Sequence, residues 1–222
     1  MALAFAMPEE HDEPEIPVPP CDLESDEPEM ESYLHLVQMV LLLETLNQFW
    51  QHRTDYFAAG NLTIYFSPRQ IKSEKFRGPD FFVVLGTEKK PRKSWTVWGE
   101  DGRYPNMIVE ILSDSTQALD RGLKKQTYQD VFRTPDYFWF DPETLEFAGF
   151  HLVDGVYEPL EPDAQGRMPS AQLGLLLGVH EGKLRFFTPE GQMLPAIKEI
   201  AQRADRLAAK LRELGVDPDT LK

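Results

Sequence analysis

Two short runs rich in Val, Ile and Phe, a long apolar helical stretch ahead of them and a series of Asp-Gly and Glu-Gly turns behind them predict an α/β (α+β) fold. The runs, residues 81–85 and 107–112, read as buried strands that neighbour one another in a sheet core flanked by helices. A chain of 222 residues with 41% hydrophobic content suits a single globular domain with additions. The expected division is an acidic, Pro-rich disordered tail over 1–31, a core domain with an antiparallel hairpin extension over 32–192, and a C-terminal amphipathic helix over 193–222.

Taken in order, residues 1–31 hold eleven Asp and Glu and no Lys or Arg. Their few large apolar side chains cannot offset the entropy of ordering the chain. A sharper reading makes these carboxylates a mimic of nucleic acid that shields basic surface. Residues 32–52 place Leu34, Val37, Val40, Leu41, Leu43, Leu46 and Phe49 at helical spacing, with Ser32 as cap. Gly60-Asn61 marks a turn, and residues 62–67 alternate like a half-buried strand. Residues 86–106 have the composition of a long loop, in which Trp95 and Trp98 either pin the loop or stack on bases.

After the second strand, Ser113, Ser115 or Thr116 is placed to cap a helix running to about Phe132 and stopped by Thr134-Pro135. Residues 137–141 form an aromatic strand with Trp139 in the core. Residues 145–152, 155–160, 173–178 and 183–188 come next as short hairpin strands. Ile197, Ile200, Ala204, Leu207, Leu211 and Leu214 recur at steps of three and four, a short heptad seam that either packs against its own domain or pairs with a second copy, the homodimer being the expectation.

Composition narrows the function classes. One cysteine, Cys21, forms no intramolecular disulfide, and no Cys/His spacing suggests zinc, which fits a cytoplasmic protein. The apolar residues 34–46 are interrupted by Gln38 and Glu44 and are too short for a bilayer, so no membrane partner is expected. Net charge is −14, but outside the acidic tail it is only −3, and residues 69–93 carry eight basic residues against three acids. That patch straddles Asp80 and suits either a solvated loop or a phosphate-binding lip.

The chemistry-bearing stretch runs from Gly78 to Tyr128. It supplies an acid, Asp80, a second acid, Glu110, and a lysine, Lys124, in an order that suits a divalent cation beside a phosphodiester. Asp80 and Glu110 offer the hard oxygens that Mg²⁺ or substituting Mn²⁺ prefers, with the Ile111 carbonyl as a further ligand. Lys124 is placed to orient the attacking water and to counter charge on the phosphate, with Lys125 beside it as the alternative. Asp120, Lys124 and Tyr128 share a helical face, although an i,i+4 ion pair by itself contributes only about 0.2–0.5 kcal/mol.

Pro79-Asp80, Val109-Glu110 with Ser113 and Ser115-Thr116, Asp120-x3-Lys124-x3-Tyr128 and Pro135-Asp136 through Asp141-Pro142 together resemble the Uma2 family over roughly residue 31 to the C-terminus. The resemblance implies the restriction-endonuclease-like mixed sheet known as PD-(D/E)xK and an endonuclease that hydrolyses DNA with Mg²⁺ through Asp80, Glu110 and Lys124. It also suggests a first-helix acid near the metal, for which Glu44 is the candidate; the exposed edge of the helix accommodates Glu44 equally well. Leu112 stands where a Glu-x-Lys motif would carry lysine, so the role moves to Lys124 on the next helix. The alternatives are a catalytically silent nuclease-fold module for binding or dimerisation, and a structural adaptor built on the last helix.

Overall fold

The computed structural model describes residues 20–27, 32–67, 78–113, 120–214 and 217, with side chains of Asp120 and Arg121 outside that set. Helix α1 (Tyr33–Phe49) starts where Ser32 accepts a hydrogen bond from the His35 N–H at 3.1 Å, as the sequence predicts. One face of α1 buries Met39, Leu42 and Leu46.

The strands are β1 (Tyr56–Gly60), β2 (Ile64–Tyr65), β3 (Phe81–Leu85), β4 (Trp95–Thr96), β5 (Met107–Ile111), β6 (Asp136–Phe140), β7 (Phe147–Val153), β8 (Val156–Pro159), β9 (Met168–Ser170), β10 (Leu175–His180) and β11 (Lys183–Phe187). A six-stranded sheet runs in the order β1-β3-β5-β6-β7-β8, parallel between β5 and β6 and antiparallel elsewhere, which makes it the mixed sheet expected. Strands β7 and β8 extend this sheet directly. Only β9 to β11 form a separate antiparallel sheet, and α1 fastens to it: Gln38 exchanges two hydrogen bonds of 2.9 and 3.0 Å with the backbone of Leu184 on β11.

Alternation along the strands sorts the core into two layers. Phe81, Val83, Met107 and Val109 face α1 and the small sheet, whereas Phe82, Val84 and Ile108 face the opposite layer with Trp95, Tyr128, Phe132 and Tyr137. Helical segment α2 covers that second face. It consists of an α-turn, Lys125–Thr127, between two π-helical turns, Asp120–Lys124 and Tyr128–Phe132, and it ends at Arg133, whose φ of 54° is left-handed. The candidate caps Ser115 and Thr116 lie outside the described residues.

Two expectations shift. The strand expected over 62–67 shrinks to β2, a two-residue parallel partner of β4, while residues 56–60, not predicted, form edge strand β1 paired with β3. Residues 20–27 of the acidic tail lie against β2 and β4: Ser25 and Asp26 bond Thr63, Ser94 Oγ donates to Leu23 O at 2.6 Å, and Glu24 meets Lys93 at 2.6 Å. The rest of that tail lies outside the described residues. The turns at Asp154-Gly155 and Glu181-Gly182 have positive φ at both positions, the twist that two-residue hairpins favour. Trp95 is buried and donates to Arg103 O at 2.8 Å, so it pins its loop. No helix among the described residues is long and apolar enough to cross a membrane.

Helix α3 (Ile197–Glu213) carries the predicted seam, with Ile197, Ile200 and Leu207 exposed and no buried residue. Its N-terminus is fastened by Glu199, which takes a forked pair of bonds of 2.8 and 2.9 Å from Arg185 and a third of 2.8 Å from the Ala196 N–H. The Arg185 bonds hold the Glu199 carboxyl down at about 2, from an ordinary 4.5. A depressed acid stabilises the folded state above its unfolded pKa and loses that contribution as pH falls toward its folded one. The docking of α3, followed by hydrogen exchange at residues 197–200, is therefore expected to be constant above pH 5 and to weaken between about 4.5 and 2. Glu199→Gln should flatten that dependence.

Candidate active site

Asp80, Glu110, Lys124 and Tyr128 converge where β3 begins and β5 ends. Glu110 is fully buried, and the parity that turns Ile108 toward α2 turns Glu110 the same way. There Lys124 Nζ donates to Oε2 at 3.0 Å and Tyr128 Oη donates to Oε1 at 2.5 Å. Burial, then the Glu110 carboxylate, push the Tyr128 phenol well above its usual range, so it stays a donor. Lys124 and Tyr128 are four residues apart on α2, and both reach one carboxylate across the helix.

Asp80 precedes β3. Its Oδ2 accepts the Ile111 N–H at 2.7 Å, which ties the start of β3 to the end of β5. Its Oδ1 lies 3.0 Å from His35 Nε2 on α1, so the acid is held from the sheet and from the first helix. Burial raises the Asp80 pKa, but the His35 bond and the Lys124 charge outweigh it and hold the carboxyl below the ordinary aspartate value. Lys124 Nζ also lies 3.5 Å from the Gly78 carbonyl, two residues before Asp80.

The remaining candidates separate. Glu44 is exposed and lines a 440 Å³ groove with Leu36, Val40, Lys183 and Lys198. Nine residues beyond His35 is two and a half turns at 3.6 residues per turn, so Glu44 points from the opposite face of α1. The first-helix residue at Asp80 is thus His35, which sequence reasoning missed because its partner lies 45 residues along the chain. Lys125 stands over the Phe150 ring at 3.4 Å, where burial lowers its pKa, and leaves the Glu110 contact to Lys124. Ile111 contributes its N–H to Asp80, and the side chain of Asp120 lies outside the described residues.

The basic patch is partly neutralised within the chain. Lys89 donates to Tyr56 Oη, Lys90 pairs with Glu88, Arg92 with Glu100 and Lys93 with Glu24, and residues 69–77 lie outside the described set. Among the described residues no three His, Cys, Asp or Glu side chains cluster as a ready cation cage. Two carboxylates with hard oxygens nevertheless suit Mg²⁺, which binds through one or two carboxylates and completes its shell with water and phosphate.

Glu110 and Lys124 are a buried pair, and removing one partner leaves an uncompensated charge. In EDTA, Lys124→Met is expected to lose about 3–5 kcal/mol of stability. The double variant Glu110→Gln with Lys124→Met should recover a large part of it, measured by urea unfolding.

The model of the Uma2 family, described as "Putative restriction endonuclease", matches residues 26–186. A Synechocystis sp. (strain ATCC 27184 / PCC 6803 / Kazusa) protein, "Uncharacterized protein slr1290", is 29% identical over 110 residues, 49% of this chain and 55% of that protein. The chain thus spans about half the length of that relative. A solved structure titled as a "putative nuclease belonging to DUF820" from Anabaena variabilis ATCC 29413 aligns with a TM-score of 0.43 and 18% identity, covering 66% of this chain and 76% of that one.

Proposed function

The chain belongs to the Uma2 family, described as "Putative restriction endonuclease", and from that premise we propose that it is a Mg²⁺-dependent endonuclease hydrolysing DNA phosphodiester bonds. The carrying observation is the convergence of Asp80, Glu110 and Lys124 from three separate segments onto one buried junction. A phosphodiester resists attack because its charge repels the nucleophile and its leaving oxygen is a poor one. When bound, the cation supplies Lewis acidity and a water of lowered pKa. Asp80 and Glu110 would hold it, with the Ile111 main chain beside them and Mn²⁺ as substitute. His35 keeps the Asp80 carboxylate oriented from α1, and Tyr128 does the same for Glu110. Lys124, already beside Glu110, would orient the attacking water and counter the charge that develops on the phosphate.

A second reading has a specific observation behind it. Each oxygen of the Asp80 and Glu110 carboxylates already meets a protein donor, namely His35, the Ile111 N–H, Lys124 and Tyr128. A cluster so satisfied would also serve a catalytically silent module.

Cleavage of supercoiled, linear and single-stranded DNA in Mg²⁺, Mn²⁺ or EDTA separates the two. Cutting in either metal, lost in Asp80→Asn and Glu110→Gln and reduced about 10²–10³-fold in Lys124→Met, supports the nuclease. Lys125→Ala serves as the neighbouring control. A folded wild-type protein that cuts nothing in either metal sinks the nuclease and leaves the module.

We place the protein in the cytoplasm as a homodimer joined by the α3 seam, whose apolar residues lie exposed at heptad spacing. Sedimentation equilibrium should give a dimer mass for the wild type and a monomer mass for Leu207→Asp. A wild-type monomer at all concentrations ends that assignment.

A further inference from the structure

Glu27 stands outside the acid, acid, lysine order and belongs to the acidic segment ahead of the folded core. Its Oε1 accepts two hydrogen bonds, from Thr63 Oγ1 at 2.8 Å and from the Gly78 N–H at 2.6 Å. Thr63 is itself held by Ser25 and Asp26, so residues 25–27 grip the start of β2. Gly78 is packed so tightly against this grip that a Cβ there would collide with the Leu62 carbonyl and lie 2.9 Å from Glu27 Oε1. Glycine fits here because it places no Cβ between the Leu62 carbonyl and the Glu27 carboxylate.

The Gly78 peptide connects this grip to the acids and the lysine. Its carbonyl faces Lys124 Nζ at 3.5 Å, and Asp80 comes two residues later, its own carbonyl accepting the Asn61 N–H at 3.2 Å. Pro79 stiffens the link between the two, because its ring fixes φ. A shift of the Gly78 peptide is therefore passed on to the backbone of Asp80 and to the Lys124 carbonyl contact together.

Resting on the nuclease reading above, we propose that Glu27 is a positioning residue. It fixes the Gly78 peptide and thereby sets the Asp80 carboxylate on the Ile111 N–H and Lys124 beside Glu110. Its role lies in accepting the Gly78 hydrogen bond at a defined reach. Residues that hold first ligands in place weaken metal affinity about 10–100-fold when lost.

The test uses the full chain and two readouts. The first is the Ile111 amide resonance in the metal-free protein, whose N–H donates to Asp80 Oδ2. The second is Mn²⁺ affinity by calorimetry. Glu27→Ala should shift the Ile111 amide and weaken Mn²⁺ binding about 10-fold or more, while Glu27→Gln, which keeps an oxygen acceptor, restores both. Glu27→Asp keeps the charge but is one methylene short, and should behave as Glu27→Ala does; it serves in its place if the alanine variant does not fold. An unmoved Ile111 amide in Glu27→Ala or Glu27→Asp overturns the proposal, as does an unchanged Mn²⁺ affinity beside a lowered melting temperature. A wild-type protein that binds no Mn²⁺ overturns the metal-nuclease reading instead, and the amide shift still decides whether Glu27 positions Asp80.

Discussion

A carboxylate with no solvent exposure near the end of a central strand is the constraint on which the rest of the structure depends. Glu110 is removed from water on β5, and an ion so placed is costly unless paired and hydrogen-bonded. Lys124 and Tyr128 meet that demand, and both come from α2. The helix must therefore lie over β5 in one register. Tyr128 reinforces the placement by packing its ring against Phe132 and Tyr137, so apolar burial and charge compensation fix the same geometry.

The period of two along β3 and β5 decides which residues meet. Because Phe81, Val83, Met107 and Val109 face α1, Glu110 must face α2, and a slip of one residue would turn it toward the apolar layer beneath α1. Asp80 lies ahead of the first paired residue of β3 and escapes that alternation. It is thereby able to reach the Ile111 N–H and His35 together, which joins α1, β3 and β5 at one point.

Local pattern made much of this legible. The apolar runs of β3, β5 and β6, the Ser32 cap and the Asp-Gly and Glu-Gly hairpin turns act over a few residues, and each is found where the sequence predicts it. Strand β1 escaped because Tyr56-Phe-Ala-Ala-Gly60 has no clear alternation and is a strand only through its pairing with β3. Asp80 and Glu110 were visible as acids flanking strands. His35 and Glu27 were not, since their partners lie 45 and 51 residues away and no local rule connects them. For Glu44 the sequence left two readings open, a metal-site acid and an exposed helix edge, and helical phase puts it on the exposed face of α1 away from His35.

Electrostatics then limits how such a site meets a polyanion. Asp80 and Glu110 set two carboxylates against the Lys124 ammonium, with the His35 ring on Asp80, and the described lysines and arginine of the flanking patch are each engaged with a neighbour in the chain. The whole chain carries −14, so a long-range field would repel nucleic acid and steer none toward the site. Attraction for a phosphodiester would have to act at short range. A divalent cation between the two carboxylates would reverse the local sign, so metal and phosphate would bind cooperatively, each weakening the repulsion felt by the other. The protein donors on Asp80 and Glu110 fit that picture, because they hold both acids oriented, and the Asp80 carboxyl below its ordinary pKa, when no cation is there to do so.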